Sequence, residues 1–351
     1  MEEAGDDGSG SVLIIGHDDV RDLLAGREKE VIDAVRRAYV LHDEGRSAVP
    51  HSVFLRFPGK PRDRIIGLPA FLDGDGDSDG TSPDSAAAGF KWVSSFPGNL
   101  AEGLPRANAA IVMNSLRTGR PEALVEGSLI SASRTGASAA LAASVLLEGT
   151  PAATAALVGT GPINLEVLRF LAVTVPSLAS VTVFDLLPER AEEFTRLAAA
   201  VAPAVQVSAA ATIEEALAGR SLVSIATTAA APHMDLRHVD PGAVVLHVSL
   251  RDLEAQAILD HHNIVDDADH VCREQTSLHL AQERSGNRDF IDASIGALLR
   301  GTADFRPDPD KVTVFSPFGL GALDIAVAQL VRAAALREGR GTRVEGFLPA
   351  Q

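Results

Sequence analysis

The sequence predicts an α/β protein with two domains, one of which is built on a parallel β-sheet. Its 351 residues exceed the size of one ordinary domain. Apolar runs alternate with helical patterns through residues 151–317, which is typical of parallel strands joined by crossover helices. Residues 11–150 and 318–351 lack this alternation. We therefore expect a parallel-sheet domain at 151–317 and an α+β domain formed by 11–150 together with 318–351.

Apolar periodicity predicts the elements of the α+β domain in order. Asp18 and Asp19 can cap a helix that begins near Val20, and a helical stripe favours a second helix at 29–44. Pro and Gly residues separate the runs that follow, so we expect an antiparallel or mixed sheet. The remaining elements expected here are strands at 52–57, 64–69, 89–94, 109–114 and 123–126, and an Ala-rich helix at 131–147.

The segment 151–317 predicts strands and helices in alternation, with Thr212 capping one of the helices. The strands are expected at 153–158, 181–184, 205–207, 222–226, 243–248, 264–265 and 312–315, and helices at 165–173 and 189–201. A last apolar helix at 322–335 follows the alternating segment and can return to the first domain.

Composition and charge exclude several classes of protein. Lys+Arg 31 against Asp+Glu 47 gives a formal net charge of −16, so neither nucleic acid nor an anionic membrane is an expected partner. The single cysteine, Cys272, excludes a disulfide framework, and no histidine spacing indicates a metal site. Residues 1–10 lack signal-peptide features, and no apolar run approaches the roughly 18 residues of a membrane span. We expect a soluble, cytoplasmic protein without a metal.

A glycine-containing turn follows the first strand of the parallel-sheet segment and opens its first helix. The residues are Gly159, Thr160, Gly161, Pro162, Ile163 and Asn164. Gly159 allows the tight turn and Gly161 lets the backbone approach a pyrophosphate, while the helix N-terminus offers N–H groups to the phosphates. Asn164 stands where the G-x-G-x-x-G motif has its third glycine. The turn predicts a Rossmann dinucleotide-binding domain.

Asp185 indicates which dinucleotide this domain binds. It follows the next predicted strand, where an acidic residue hydrogen-bonds the ribose hydroxyls and repels a 2′-phosphate. No arginine follows it directly, since the run continues Leu186-Leu187-Pro188. We therefore expect NAD rather than NADP.

Several blocks resemble the ornithine cyclodeaminase/mu-crystallin family. They are GFKWV at 89–93, PGN at 97–99 and SRTGA at 133–137, in family order ahead of the Rossmann segment. A narrower resemblance joins KWVSSFPGN at 91–99, GLPRA at 103–107, HVSLRD at 247–252 and DDADHVCREQTS at 266–277. These blocks are similar to the family branch of N-(2-amino-2-carboxyethyl)-L-glutamate dehydrogenases, which serve siderophore and peptide-antibiotic pathways.

The resemblance implies a reaction. NAD would oxidise the glutamate adduct, and hydrolysis of the imine would release L-2,3-diaminopropionate and 2-oxoglutarate. The substrate carries three carboxylates, so its site should be rich in cations. The chain supplies Arg56, Lys91, Arg106 and Arg134 near predicted strands or a helix start; Lys91 and Arg134 match family substrate-binding positions. The resemblance also implies a homodimer.

Acid–base and cofactor residues complete the expected site. Asp252 follows a predicted sheet strand, where the family carries a proton-handling Asp, although the match needs a one-residue shift; His233 is the rival acid–base group. Lys91 is also expected to be catalytic. The residues assigned to the cofactor, besides 159–164 and Asp185, are Thr135, Thr227, Ser249 and Ser316.

Other functions stay open at this point. The chain could be an ornithine cyclodeaminase, a related amino-acid dehydrogenase or ketimine reductase, or a mu-crystallin-like protein that binds a nucleotide without turnover. Ornithine cyclodeaminases have Thr where this chain has Arg106. Because ornithine is itself cationic, an arginine at that position favours an anionic substrate.

Overall fold

The computed structural model describes residues 10–75, 80–147 and 152–349, and these form two compact units. Unit 1 contains residues 10–134 and 320–349, and unit 2 contains residues 135–319. The first boundary therefore lies sixteen residues earlier than the boundary at 150/151 expected from the sequence. A close helix contact explains the difference, because a Cβ on Gly136 would come within 2.8 Å of the Glu166 backbone.

The secondary structure follows the predicted alternation closely. The first elements are β1 (Val12–Ile15), α1 (His17–Leu24), α2 (Glu28–Asp43), β2 (Ser47–Ala48), β3 (Val53–Phe57), β4 (Lys60–Leu72), β5 (Ala87–Ser95), a 3₁₀ helix (Pro97–Glu102), β6 (Ala107–Asn114), β7 (Pro121–Glu126) and α3 (Ser128–Leu146), which crosses the first unit boundary. Then come β8 (Thr154–Val158), α4 (Pro162–Thr174), β9 (Ser180–Phe184), α5 (Pro188–Val201), β10 (Gln206–Ala209), α6 (Ile213–Leu217), β11 (Leu222–Ile225) and β12 (Val244–His247). The chain ends with α7 (Ala255–Asp260), β13 (His262–Val265), α8 (Ala268–Val271), α9 (Ser277–Ser285), β14 (Ala293–Ser294), α10 (Ile295–Arg300), β15 (Thr313–Ser316), α11 (Gly321–Glu338) and β16 (Thr342–Val344).

Unit 1 is built on a mixed sheet with the strand order β16-β1-β7-β6-β5-β4-β2, and β3 also pairs with β4. The β1–β7 pair is parallel and its other pairs are antiparallel. Helix α11 packs against β4, β5 and α2, and nearly all of its residues from Gly321 to Ala335 are buried. Helix α11 therefore belongs to unit 1.

Helix α1 begins earlier than predicted. Gly16 is its N-cap residue and makes no side-chain cap hydrogen bond. Asp18 and Asp19 lie inside the first turn rather than at the cap. There they stabilise the helix through its positive N-terminal dipole. The prediction that they cap the helix was therefore wrong, although a helix does begin in this segment.

Unit 2 is a parallel sheet with the order β10-β9-β8-β11-β12-β15-β13-β14, flanked by helices. The chain runs outward in one direction from β8 through β9 and β10, and in the other from β11 onward. This reversal between β8 and β11 is the switch point at which doubly wound sheets bind ligands beyond their carboxyl ends. The Thr212 cap is present, because the Thr212 hydroxyl accepts a hydrogen bond from the Glu215 N–H at 3.1 Å.

Helix α3 is long and apolar enough to cross a membrane by length and composition alone. However, 61% of its most apolar window is buried inside the protein, as expected of a core helix.

Candidate active site

The turn after β8 has the backbone that close approach of a dinucleotide requires. Gly159 adopts a φ of +88°, and a Cβ there would lie 2.5 Å from the Ala226 carbonyl oxygen, so only glycine fits. A Cβ on Gly161 would meet no atom within 4 Å, which leaves open space at the N-terminus of α4. Pro162 and Ile163 form the first turn of this helix. A pyrophosphate can therefore approach the helix N-terminus.

Asn164 replaces the third glycine of the motif and is completely buried. Its amide nitrogen donates to the carbonyl oxygens of Val158 at 2.9 Å and Gly159 at 2.6 Å. Its amide oxygen accepts from the Ser224 hydroxyl at 2.7 Å. Asn164 therefore has a structural role in place of the third glycine, because its hydrogen bonds stabilise the turn.

Asp185 faces the same turn from the end of β9. Its carboxylate accepts hydrogen bonds from the Thr160 N–H at 3.0 Å, the Thr160 hydroxyl at 2.7 Å and the Leu187 N–H at 3.1 Å. Burial alone would raise the pKa of Asp185, but these hydrogen bonds outweigh it and lower the pKa. The carboxylate is therefore ionised at neutral pH, as recognition of ribose hydroxyls requires.

A cleft of about 830 Å³ in unit 2 connects these groups. Its wall includes Gly159, Thr160, Gly161, Asp185, Thr227 and His233. The glycine turn, the helix N-terminus and the ionised Asp185 fit an NAD molecule, which would supply a hydride acceptor when bound.

Asp252 lies buried beside the wall of this cleft and anchors a polar cluster. Thr227 donates its hydroxyl hydrogen to one carboxylate oxygen, and His233 Nε2 lies 3.2 Å from the same oxygen. The Ser249 hydroxyl lies 2.5 Å from the other oxygen, and His247 Nε2 lies 3.5 Å from it. Burial raises the pKa of Asp252, but the contact with His247 and the hydrogen bonds from Ser249 and Thr227 outweigh it and lower the pKa well below its usual range.

Two histidines contact Asp252, and they differ in exposure. The side chain of His247 is fully buried, and burial lowers its pKa, so it is neutral at pH 7. The side chain of His233 is 46% exposed and lies on the cleft wall. Its backbone N–H also donates to the Asp252 carbonyl at 2.9 Å. His233 is therefore an accessible imidazole that is oriented by a buried carboxylate.

The other residues assigned to the cofactor are distributed differently. Ser316 is fully buried at the end of β15, and its hydroxyl lies 3.3 Å from Nδ1 of His247. It does not line the cleft. Thr135 lies in α3 and is half-buried. Thr227 lines the cleft, whereas Ser249 lies behind it next to Asp252.

In unit 1, Lys91 and Arg134 share one carboxylate that the sequence did not single out. Lys91 Nζ lies 2.6 Å from Asp324 Oδ2, and Arg134 Nε lies 3.1 Å from Asp324 Oδ1. The Asp324 and Lys91 side chains are buried, and Arg134 is 11% exposed. Burial lowers the pKa of Lys91 to about 8, although Asp324 opposes this shift. The cluster carries a net positive charge, as a carboxylate-binding site needs.

The two other predicted arginines also lie in unit 1. Arg106 precedes β6 and is half-buried, and its side chain has no hydrogen-bond or ion-pair partner among the described residues. Burial lowers the pKa of Arg106. Arg56 is exposed on β3, with its guanidinium 5.4 Å from the Phe54 ring centroid. Within the described part of the chain, no group of three or more His, Cys, Asp and Glu side chains could hold a metal ion.

Comparison with known proteins identifies the family. The family model of the ornithine cyclodeaminase/mu-crystallin family matches residues 26–339. The chain belongs to this family. The predicted fold class and family are therefore confirmed.

Individual members of the ornithine cyclodeaminase/mu-crystallin family match over nearly their full length. The N-((2S)-2-amino-2-carboxyethyl)-L-glutamate dehydrogenase of Staphylococcus aureus is 25% identical over 94% of this chain and 97% of that protein. The alanine dehydrogenase of Archaeoglobus fulgidus is 26% identical over 95% and 98%. The structure of Thermococcus litoralis Delta(1)-pyrroline-2-carboxylate reductase in complex with NADH and L-proline has a TM-score of 0.86 at 25% identity, covering 95% of this chain and all of that one.

Proposed function

We propose that this protein oxidises N-(2-amino-2-carboxyethyl)-L-glutamate with NAD. The α-carbon of the glutamyl part loses a hydride and its nitrogen a proton, which leaves an imine. Addition of water to this imine releases L-2,3-diaminopropionate and 2-oxoglutarate. The general class of the protein, an NAD-dependent oxidoreductase that acts on amino acids, is confirmed. Full-length relatives are amino-acid dehydrogenases and reductases, and related structures hold NAD or NADH.

The observation that carries the specific substrate is a set of buried and half-buried cationic side chains in unit 1. The chain has a net charge of −16. Among the residues that the structure describes, however, the half-buried Arg106 has no acidic partner, and Lys91 and Arg134 share the carboxylate of Asp324. A desolvated guanidinium is stabilised by an anion, so these groups suit a substrate with several carboxylates. Ornithine, whose side chain is cationic, would be repelled.

We further propose that His233 moves the proton and Asp252 positions it. The depressed pKa of Asp252 makes it a poor proton acceptor at neutral pH, and it is buried away from the cleft. His233 is accessible and lies 3.2 Å from the Asp252 carboxylate, which can orient the ring. His233 can then take the proton of the substrate amine before the hydride leaves.

The function is tested by incubating the enzyme with NAD and the adduct while NADH absorbance and 2-oxoglutarate are measured. We expect one NADH for each 2-oxoglutarate. Conversion of L-ornithine to proline without net NADH would instead identify a cyclodeaminase. Faster oxidation of L-alanine or L-proline would identify a related dehydrogenase, and NAD binding without turnover would identify a nucleotide-binding protein.

Two substitutions separate the catalytic roles. His233→Asn removes the proton acceptor, and Asp252→Asn removes the carboxylate that orients His233. Each substitution should lower kcat by roughly 10²–10⁴ while NAD affinity is retained. His17→Asn, on the exposed side of α1, is the control. If only Asp252→Asn lowers kcat, then Asp252 is itself the base.

Arg106→Thr tests the substrate assignment. It removes a cation that has no acidic partner among the described residues, so KM for the adduct should rise by about 10²-fold or more while kcat changes little. An unchanged KM would place the carboxylate site elsewhere.

We also propose that unit 1 forms a homodimer through the sheet face opposite Lys91. Trp92 alternates with Lys91 along β5 and is 41% exposed, and Val53 and Leu124 are exposed on the same face. Exposed large apolar side chains on one face of a sheet are typical of an interface.

A further inference from the structure

Three residues other than glycine adopt the left-handed backbone conformation in the part of the chain that the structure describes. Leu250 has a φ of +68°, and Glu274 and Gln275 each have a φ of +55°. This conformation is unfavourable for residues with a Cβ atom, so it persists only where the surrounding contacts enforce it. All three residues lie in two short segments of unit 2, at 249–252 and 273–277.

Two hydrogen bonds join these segments. The Arg251 side chain donates through Nη2 to the carbonyl oxygen of Glu274 at 2.8 Å. The Ser277 N–H donates to the carbonyl oxygen of Leu250 at 2.8 Å, and both of these residues are buried. In each hydrogen bond the acceptor belongs to a left-handed residue, so the two strained turns hold each other.

The segment 249–252 ends at Asp252, the centre of the polar cluster in the candidate active site. The Asp252 carboxylate lies 3.2 Å from His233 Nε2. Its backbone carbonyl accepts hydrogen bonds from the N–H groups of His233 at 2.9 Å and Met234 at 3.1 Å. Because Arg251 directly precedes Asp252, a change in the conformation of this turn would move the carboxylate relative to the imidazole.

The segment 273–277 is fixed by contacts of its own. The completely buried Thr276 donates its hydroxyl hydrogen to the Val271 carbonyl at 2.5 Å and accepts the His279 N–H at 3.0 Å. The segment ends the sequence block DDADHVCREQTS, which contains none of the residues assigned to catalysis or to the cofactor. It therefore offers the Arg251 side chain a rigid acceptor next to the active site.

We propose that Arg251 is a positioning residue for proton transfer, acting through Asp252 on His233. Its side chain holds the strained turn at 249–252 against the segment 273–277. A left-handed turn relaxes once the contacts that enforce it are lost, so removal of the guanidinium should misplace the carboxylate. The inference rests on the proposed function for the roles of Asp252 and His233, whereas the hydrogen bonds that carry it are independent of the substrate.

The kinetics of Arg251→Met, which keeps an apolar stem but removes the donors, test this role. We expect kcat to fall by about 10–100-fold, while KM for the adduct and Kd for NAD change by less than about threefold. Arg251→Lys keeps a charged donor and should retain about a third of kcat or more. Arg284→Met, at an exposed position of α9, is the matched control.

A double-mutant cycle with Asp252→Asn shows whether Arg251 acts through the carboxylate. In the Asp252→Asn background, Arg251→Met should lower kcat by less than about threefold, because the group that it positions is already gone. A loss as large as in the wild-type background would overturn the proposal, since Arg251 would then act independently of Asp252.

Hydrogen exchange followed by mass spectrometry reports the geometry without turnover. Exchange of the His233 and Met234 N–H groups should become about tenfold faster in Arg251→Met, while exchange in β8 stays unchanged. Unchanged exchange at His233 and Met234, or an equal increase in β8, would overturn the role of Arg251. If Arg251→Met does not fold, Arg251→Gln, whose side chain is too short to replace the lost hydrogen bond, decides by the same measurements.

These outcomes separate the role of Arg251 from the proposed substrate. If the wild type produces no NADH from the adduct but converts L-ornithine, L-alanine or L-proline, then the proposed substrate is wrong, and the kinetics of Arg251→Met on that amino acid decide the role of Arg251. If the wild type binds NAD without any turnover, both the proposed function and the positioning role of Arg251 are overturned.

Discussion

At the scale of single residues, Asp185 has two tasks that one substitution can separate. Its carboxylate accepts hydrogen bonds from Thr160 and Leu187, and its charge lies where a 2′-phosphate would approach. Asparagine keeps an acceptor oxygen for the turn but removes the charge. The substitution should therefore reduce the electrostatic discrimination against NADP more than it destabilises the turn.

We expect Asp185→Asn to narrow the preference for NAD over NADP by about tenfold or more in kcat/KM. Glu192→Gln, on the exposed face of α5, controls for the loss of one negative charge. An unmutated enzyme that used NADP as well as NAD would contradict the assignment of Asp185.

The buried Lys91 makes the stability of the protein depend on pH. Burial lowers its pKa to about 8, whereas the unfolded chain retains the ordinary value of 10.5. Between these values the folded protein binds fewer protons at this site than the unfolded chain, so the free energy of unfolding rises with pH. The contribution is at most about 3 kcal/mol, and it is complete above pH 10.5.

Urea denaturation of the wild type and of Lys91→Met between pH 7.5 and 10 measures this contribution. As pH rises, the unfolding free energy of the wild type should increase relative to that of Lys91→Met. A constant difference would mean that Lys91 keeps an ordinary pKa in the folded protein.

At the scale of elements, the β8–α4 turn depends on Asn164 rather than on a third glycine. Asn164→Gly restores the standard motif, yet it removes hydrogen bonds to Val158 and Gly159 and leaves the buried Ser224 hydroxyl without this acceptor. We expect a loss of about 2–4 kcal/mol in stability and weaker NAD binding. Thermal unfolding and NAD titration measure both, and tighter NAD binding by the variant would contradict this role.

The same turn shows how far sequence reasoning reaches. Gly159 and Asp185 could be predicted because a dinucleotide imposes a fixed spacing along one βαβ unit. The role of Asn164 could not, because its partners are defined only once the turn is folded. A polar side chain in place of a glycine was the available signal.

Contacts between segments far apart in the sequence could not be predicted either, because they too are defined only in the folded protein. Asp324 is 233 residues from Lys91, and its helix reads as an apolar core helix. A lone carboxylate among these apolar residues was a signal, because a buried charge requires a partner.

At the scale of the whole molecule, the exposed apolar face of the unit 1 sheet predicts self-association. A Cβ on Gly67 would lie 2.8 Å from the Phe90 ring, so glycine makes room for an aromatic side chain on this face, where the Phe90 ring also lies 5.6 Å from the Trp92 ring. We expect a homodimer that buries Trp92 and Leu124.

Light scattering at micromolar concentration should give the mass of two chains for the wild type and of one chain for a Trp92→Arg, Leu124→Arg double variant. Leu197→Arg, on an exposed position of α5 in unit 2, is the control and should leave the mass unchanged. A monomeric wild type would contradict the prediction.

The two-part construction of unit 1 governs how the polypeptide matures on the ribosome. Unit 2 is one continuous stretch, so it can fold as soon as residue 319 has left the exit tunnel. The strands β1 to β7 must wait for the end of the chain, because β1 pairs with β16 and the sheet is covered by α11. We therefore expect the apolar face of the unit 1 sheet to stay uncovered while unit 2 is synthesised, and chaperones to bind the nascent chain in this interval.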